Sequence, residues 1–302
     1  MRSRRTCHAV PGSSERFLAK APGLEADEVF LDLEDAVAPN EKESARARVI
    51  EALNTLAFRD GMTVAVRVNA TDTPHYYRDL IDVVEQAGAK LDAIMLPKVR
   101  TPGDVEMTAK LLTQIELAHG LEPGRIGIEA QIEDATGLLA CEAIAAASPR
   151  METLIFGPGD YSAAVGIPIT TIGGAPDGYP GDHLNYVYSR LIVAARAAGI
   201  LAIDGPYARV GDEDGLRERS RLARALGMDG KWTIHPGQIA TVNEVFSPAR
   251  EEWERAEAML AAYEAAHAEG RGAAVFEGEM IDEANRKMAE RVARAGRAAG
   301  YG

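Results

Sequence analysis

From residue 5 to about residue 245, eight short β-rich runs alternate with eight segments of helical period, and this alternation leaves the chain very few folds. The runs are TCHAV (6–10), EVFLDLE, TVAVRVN, AIMLPKV, RIGIEAQIE, TLIFGPG, ILAIDGP and GKWTIHP. Between and after them lie ERFLAKA, EKESARARVIEALNTL, YYRDLIDVVEQAG, DVEMTAKLLTQIELAHG, LLACEAIAAA, HLNYVYSRLIVAARAAG, EDGLRERSRLARALG and GQIATVNEVF. Strands separated by helices form right-handed crossover units in a parallel sheet. Eight such units favour a closed (β/α)8 TIM barrel over an open, doubly wound sheet. Four glycines that follow helical segments, Gly88, Gly120, Gly199 and Gly227, are placed as C-caps.

Two helical patterns follow the eighth unit. SPAREEWERAEAMLAAYEAAHAEG opens on a serine cap with proline at the first helical position, and the glycine-rich break EGRGAAVFEG then leads into EMIDEANRKMAERVARAG. The chain is thus read as a barrel, 1–246, and a carboxy-terminal helical extension, 247–302, that packs on the barrel or on a neighbouring subunit. With 302 residues, 46% of them hydrophobic, it can bury one large core. The 33 basic against 46 acidic residues leave a formal charge of −13, which argues against nucleic acid or an anionic membrane as a broad contact. Any anionic ligand needs a local basic patch, and Arg2, Arg4, Arg5, Arg16 and Lys20 offer one near the amino terminus. Cys7 and Cys141, the only cysteines, make neither a disulfide framework nor a metal spacing and suit a reduced, cytoplasmic setting. The amino-terminal stretch lacks the apolar segment of a secretory signal, and no run reaches the roughly 18 apolar residues of a membrane span.

In TIM barrels the active site lies at the carboxyl ends of the strands, so the informative residues are polar ones late in each run. Asp32 and Glu34 share one face of EVFLDLED, Arg67 follows Val64 and Val66, and AIMLPKV ends in Lys98. In RIGIEAQIE, Ile128, Ala130 and Ile132 share one face while Glu129, Gln131 and Glu133 share the other, and Asp160 closes TLIFGPGD. Charges of both signs converging on an apolar barrel must pair or bind something charged. Glu133 and Asp160 fit two oxygen ligands for Mg²⁺ or Mn²⁺, and equally fit ion pairs with Arg67 and Lys98. Arg67 offers a planar fork for a carboxylate, or neutralises Glu34. Lys98 at a strand end raises a Schiff-base reading, opposed by acidic neighbours that keep it protonated. His235, in TIHPGQ, serves as a ligand contact or as a turn residue, and an acidic residue such as Asp282 on a helical segment is ordinarily solvated. No P-loop, G-x-G-x-x-G context, H-E-x-x-H or G-x-S-x-G is present.

The set VPGSSERFLAKA, DLEDAVAPNEKESAR, VRVN, LPKV, QIED, FGPGDY, GKWTIHPGQ and EGEMID resembles, in order and spacing over nearly the whole chain, the HpcH/HpaI aldolase and citrate lyase beta-subunit family. DTPHYYRDLIDVVEQAG, AIDGPY and FEGEMID bring it nearest to the malyl-CoA and β-methylmalyl-CoA lyase branch. The resemblance implies a TIM barrel, Mg²⁺ (with Mn²⁺ as substitute), an acyl-CoA thioester, a small 2-oxo acid and reversible carbon–carbon cleavage. It implies Glu133 and Asp160 as metal ligands, Arg67 as the holder of the oxo-acid carboxylate, and Glu34 and Asp35 as an acidic pair acting near the metal through water. Lys20, Val10 with Pro11, Gly159, Ile234 and His235 match positions around the CoA moiety and the substrate. Asp282 matches the aspartate of a lid that reaches into an adjacent subunit as acid/base, which further implies a homo-oligomer, trimer or hexamer.

The expected reaction is cleavage of malyl-CoA or β-methylmalyl-CoA to acetyl-CoA or propionyl-CoA plus glyoxylate. A citramalyl-CoA lyase, a citrate lyase beta subunit and a free-acid metal aldolase are the neighbouring readings, and a non-catalytic CoA-binding or thioesterase-coupled partner is the reading from another class. The loop TTIGGAPDGYPGD is short for some malyl-CoA lyases and leaves the acyl group open.

Overall fold

The computed structural model describes residues 2–179 and 181–302, in two compact units, Met1–Asn243 and Glu244–Gly302. Within the first, eight parallel strands close into a barrel in sequence order. They are β1 (Thr6–Pro11), β2 (Glu28–Asp32), β3 (Thr63–Arg67), β4 (Ala93–Leu96), β5 (Gly127–Ile132), β6 (Met151–Phe156), β7 (Leu201–Asp204) and β8 (Gly230–Thr233). The intervening helices are α1 (Glu15–Leu18), α2 (Lys42–Thr55), α3 (Tyr76–Ala87), α4 (Pro102–Ala118), α5 (Ala135–Leu139), α6 (Cys141–Ala145), α7 (Pro158–Val165), α8 (Asn185–Ala198) and α9 (Glu213–Leu226), with α10 (Ile239–Phe246) after the last strand. The expected barrel is therefore present. Strands β2 to β8 stop short of the ends of their sequence runs, because the residues that close those runs have left the ladder for the loops, whereas β1 runs one residue further, to Pro11.

The barrel interior is filled by Cys7, Phe30, Ala65, Ala93, Met95, Ile155, Ile203 and Trp232, with Phe30 stacked on Trp232 at 4.7 Å between centroids. Only β5 sends no apolar residue into this layer. It contributes Glu129 instead, which pairs with Arg4 at 3.0 Å beneath the core, where Arg4 also meets Glu28 and Glu152. The amino-terminal basic patch expected from the sequence is thereby dissolved. Arg2 is bound to Glu152 at 2.9 Å and Arg5 to Asp27 at 2.7 Å, so all three arginines are paired at the amino end of the barrel, opposite its mouth. Gly120, Gly199 and Gly227 have the positive φ of helix-ending glycines, whereas Gly88 is right-handed and begins a 3-10 turn, Gly88–Lys90. The loop expected to set acyl preference runs irregularly between α7 and α8, and its residue 180 lies outside the described residues.

The second unit pairs α11 (Arg250–Ala268) with α12 (Glu283–Ala298) around an antiparallel hairpin, β9 (Ala274–Phe276) and β10 (Glu279–Ile281). Met259, Tyr263, Ala274, Ile281, Ala289 and Ala293 belong to its core. Two sequence expectations change here. The first helix starts at Arg250, two residues past the proline, with Glu252 accepting the Ala249 amide at 2.9 Å. The segment read as a helix from Glu279 begins as a strand: Glu277 and Gly278 carry φ of 49° and 83°, the two left-handed residues of a tight hairpin turn.

Candidate active site

Asp32, the last residue of β2, organises the mouth. Its carboxylate accepts the amides of Glu34 at 2.8 Å and Ala36 at 3.1 Å, which folds the chain so that Glu34 and Asp35 follow directly at the rim. The same carboxylate takes Arg67 in a fork, Nε donating to Oδ1 and Nη2 to Oδ2, both at 2.7 Å. Arg67 ends β3 beside Asp32, the two being register partners. Its guanidinium is 5% exposed and lies 5.1 Å from the centroid of Trp232. The remaining terminal nitrogen, Nη1, meets Glu34 at 3.1 Å and Asp35 at 3.8 Å. Burial opposes the charge, but Asp32 above all, then Glu34 and Asp35, outweigh it and hold Arg67 cationic.

Lys98 follows β4 with φ of 52°, a left-handed conformation in a residue with a side chain. Its amide donates to Glu133 Oε1 at 3.1 Å, while its amine donates to Glu34 and, at 3.2 Å, to Asp35. The ion pair with Glu133 or Asp160 considered from the sequence is thus made elsewhere, with the β2 rim acids. Burial works against the Lys98 charge, but Glu34 and Asp35 together push the amine above its ordinary value. A Schiff-base nucleophile needs the neutral amine, so this setting opposes that chemistry.

Glu133 stands one residue past β5, 3% exposed, and shares the inward face with Glu129 and Gln131. Gly157, after β6, packs so closely that a Cβ there would lie 2.5 Å from Glu133 Cγ. Burial pushes the Glu133 carboxyl up to about 8, helped by the neighbouring Asp160 carboxyl. Asp160 does not close a strand, as the sequence run suggested. β6 ends at Phe156, Pro158 opens α7, and Asp160 sits exposed in the first turn of that helix, where amide dipoles favour an anion. The mouth therefore gathers five carboxylates (Asp32, Glu34, Asp35, Glu133, Asp160) around two cations (Arg67, Lys98). Burial and the neighbouring Asp160 carboxyl both favour the protonated form of Glu133, and a cation bound there would take the place of that proton. An all-oxygen donor pair suits Mg²⁺ or Mn²⁺. Among the described residues no group of three or more His, Cys, Asp or Glu side chains is arranged to hold a metal by itself.

The other expected residues are distributed as follows. His235 and Ile234 come directly after β8, both exposed. His235 Nδ1 accepts the Gly237 amide at 3.1 Å, which leaves Nε2 as the donor in the neutral ring, and Gln238 Oε1 accepts the Ile234 amide at 2.9 Å. Gly159 precedes Asp160 in α7. Lys20 is exposed beyond α1, while Val10 is 2% exposed and alternates with Cys7 and Ala9, so its side chain is turned from the barrel interior. Asp282 belongs to the second unit and caps α12, accepting the amides of Ala284 at 2.8 Å and Asn285 at 3.3 Å. Trp232 is the residue that sequence reasoning passed over, and Asp32 was noted without a role. Period two had placed Asp32 beside Glu34, but nothing in the pattern showed that it would hold Arg67.

A closed (β/α)8 barrel whose strand ends gather carboxylates around a buried arginine defines the class. Within it, the chain belongs to the HpcH/HpaI aldolase/citrate lyase family, whose profile matches residues 5–236. It is 42% identical to the L-malyl-CoA/beta-methylmalyl-CoA lyase of Cereibacter sphaeroides over 293 residues, 94% of this chain and 92% of that protein. It is 38% identical to the (3S)-malyl-CoA thioesterase of the same species over 273 residues, 90% and 87% of the two chains. Among solved structures, protein CitE from Mycobacterium tuberculosis, in complex with magnesium, acetoacetate and coenzyme A, superposes with a TM-score of 0.74 and 30% identity over 97% of both chains.

Proposed function

We propose that this protein is a Mg²⁺-dependent carbon–carbon lyase that reversibly cleaves a 3-hydroxyacyl-CoA, malyl-CoA or β-methylmalyl-CoA, to acetyl-CoA or propionyl-CoA and glyoxylate. The observation that carries the reading is the charge at the mouth. Five carboxylates around two cations repel an acidic substrate, yet Arg67 is set there with a terminal edge turned from Asp32. A divalent cation at Glu133 and Asp160 reconciles the two, and when bound it supplies Lewis-acid polarisation of the substrate oxygen. The likeness to a lyase and to a magnesium-bound, CoA-bound barrel supports the same assignment.

In this reading Glu133 and Asp160 hold the ion, Arg67 fixes the substrate carboxylate by a bidentate contact, and Glu34 and Asp35 act beside the ion through water. Lys20, the main chain at Val10, Gly159, Ile234 and His235 face the CoA thioester, His235 through its Nε2 donor. Asp282 moves the proton, taking the α-proton of acetyl-CoA or propionyl-CoA in condensation and working from a lid placed over an adjacent subunit. That role requires a homo-oligomer, trimer or hexamer, and assembly would cover apolar side chains such as Met280 and Met288, which are 76% and 62% exposed. No helix among the described residues is long and apolar enough to cross a membrane, and two buried free thiols fit the reducing cytoplasm.

The test is incubation of purified protein with malyl-CoA and Mg²⁺. Acetyl-CoA and glyoxylate are expected in equal amounts, and EDTA is expected to stop their release. Hydrolysis is the second reading, favoured by the likeness to a malyl-CoA thioesterase. It would yield free malate and CoA with no glyoxylate.

A further inference from the structure

We propose that Lys98 is a positioning residue whose amine draws Glu34 away from Arg67 and thereby frees the guanidinium edge that receives the substrate carboxylate. The proposal rests on the assignment of Arg67 to that carboxylate and adds how the edge that Glu34 occupies is given up to it. A guanidinium has five N–H donors. Asp32 takes the Nε and Nη2 side in a fork at 2.7 Å, and this pairing is buried and reinforced by two backbone amides on the same carboxylate. The edge left for a ligand is the one carrying Nη1, and Glu34 Oε2 already stands there at 3.1 Å. Glu34 is thus a built-in competitor for the substrate. Its second oxygen is held by Lys98 Nζ, and Asp35 lies closer to Lys98, at 3.2 Å, than to Arg67, at 3.8 Å. When a carboxylate displaces Glu34 from Nη1, Lys98 is the cation that keeps both rim acids compensated.

The backbone supports the same role. Among the described residues only Lys98 and Glu277 combine a side chain with positive φ, and Glu277 has a hairpin turn to account for it. Lys98 has no such turn. Its left-handed backbone instead sends the amide to Glu133 at 3.1 Å while the side chain goes the other way to Glu34. One residue thereby ties the β5 carboxylate to the β2 rim, and strain of this kind persists where the surroundings fix it for a purpose.

The experiment is equilibrium binding of glyoxylate to the full-length protein at saturating Mg²⁺, read from tryptophan emission. Trp232 lies 5.1 Å from the Arg67 guanidinium, and Trp253, the other of two tryptophans, is replaced by Phe in every variant. Lys98→Met is expected to weaken binding roughly tenfold or more, the scale of one charge-assisted hydrogen bond. Glu34→Gln alone, with Lys98 intact, is expected to tighten it. In the Glu34→Gln background Lys98→Met is expected to change the constant less than about threefold, because the competitor is gone. A role in stability alone would give Lys98→Met the same effect in both backgrounds, and that result overturns the proposal. So does a Lys98→Met protein that binds glyoxylate like its parent, or a Glu34→Gln protein that binds no tighter. A parent that gives no glyoxylate titration refutes the assignment of function instead.

Discussion

Metal binding at Glu133 should release a proton, and the amount can be worked out from the site. Glu133 is buried, and burial, with the neighbouring Asp160 carboxyl, pushes its own carboxyl up to about 8. The metal needs the ionised form, so the ion and the proton compete for one carboxylate. Below about 8 the apparent affinity then falls with acid, by about elevenfold at pH 7 and about a hundredfold at pH 6 relative to the high-pH limit. Above it the affinity levels off. The proton count follows the same titration, about 0.9 per ion at pH 7 and about 0.1 at pH 9. Isothermal titration with Mn²⁺ in two buffers of different ionisation enthalpy measures both quantities. Glu133→Gln, which cannot ionise, should bind more weakly and release no proton at either pH. Equal affinity at pH 6 and pH 9 with no proton release from the native protein would falsify the assignment of Glu133 to the metal.

Other expectations are more local. Asp282→Asn should leave the melting temperature almost unchanged, since asparagine caps a helix about as well as aspartate, while turnover of malyl-CoA drops by orders of magnitude; near-native turnover removes Asp282 from the chemistry. Arg67→Lys, unable to hold Asp32 and a ligand with one planar fork, should raise the KM for the acid roughly ten- to a hundredfold with the metal affinity retained, and an unchanged KM would show that the acid binds elsewhere. Arg4→Met leaves Glu28 and Glu129 buried without their cation and should destabilise the barrel by about 3–5 kcal/mol in urea unfolding, an amount that a rim-exposed pair would not reach. Borohydride added during turnover should trap no adduct on Lys98, and a labelled Lys98 peptide would restore the Schiff-base reading.

The barrel was legible because eight apolar runs and their helices carry two distinct periods, and each is long enough to be seen. What the periods could not show was where a run stops being a strand. TLIFGPGD reads as one stretch, yet Pro158 fixes the φ of a first helical residue and lacks the amide a ladder needs, so β6 ends at Phe156 and Asp160 arrives on a helix. The hairpin of the extension escaped for the opposite reason, since AVF and EMI are three residues each and too short to display alternation. Charge patterns misled where pairing is long-range. Arg4 looked like part of an open basic patch but meets Glu129, 125 residues away, under the barrel floor. The same holds at the mouth. Glu133, Arg67 and Glu34 were marked by their places at strand ends, while the Asp32 fork and the left-handed Lys98 depend on neighbouring strands being brought into register.

The central claim is that this mouth breaks a carbon–carbon bond in a CoA thioester with the help of a divalent ion. The direct measurement is product analysis with malyl-CoA, β-methylmalyl-CoA, citramalyl-CoA and citryl-CoA, each with Mg²⁺ and with EDTA, resolving glyoxylate, pyruvate, oxaloacetate and the free hydroxy acids. Glyoxylate is expected from the first two, matched by acetyl-CoA or propionyl-CoA and lost with EDTA. Free malate with CoA as the only products, or glyoxylate release that persists in EDTA, would contradict it.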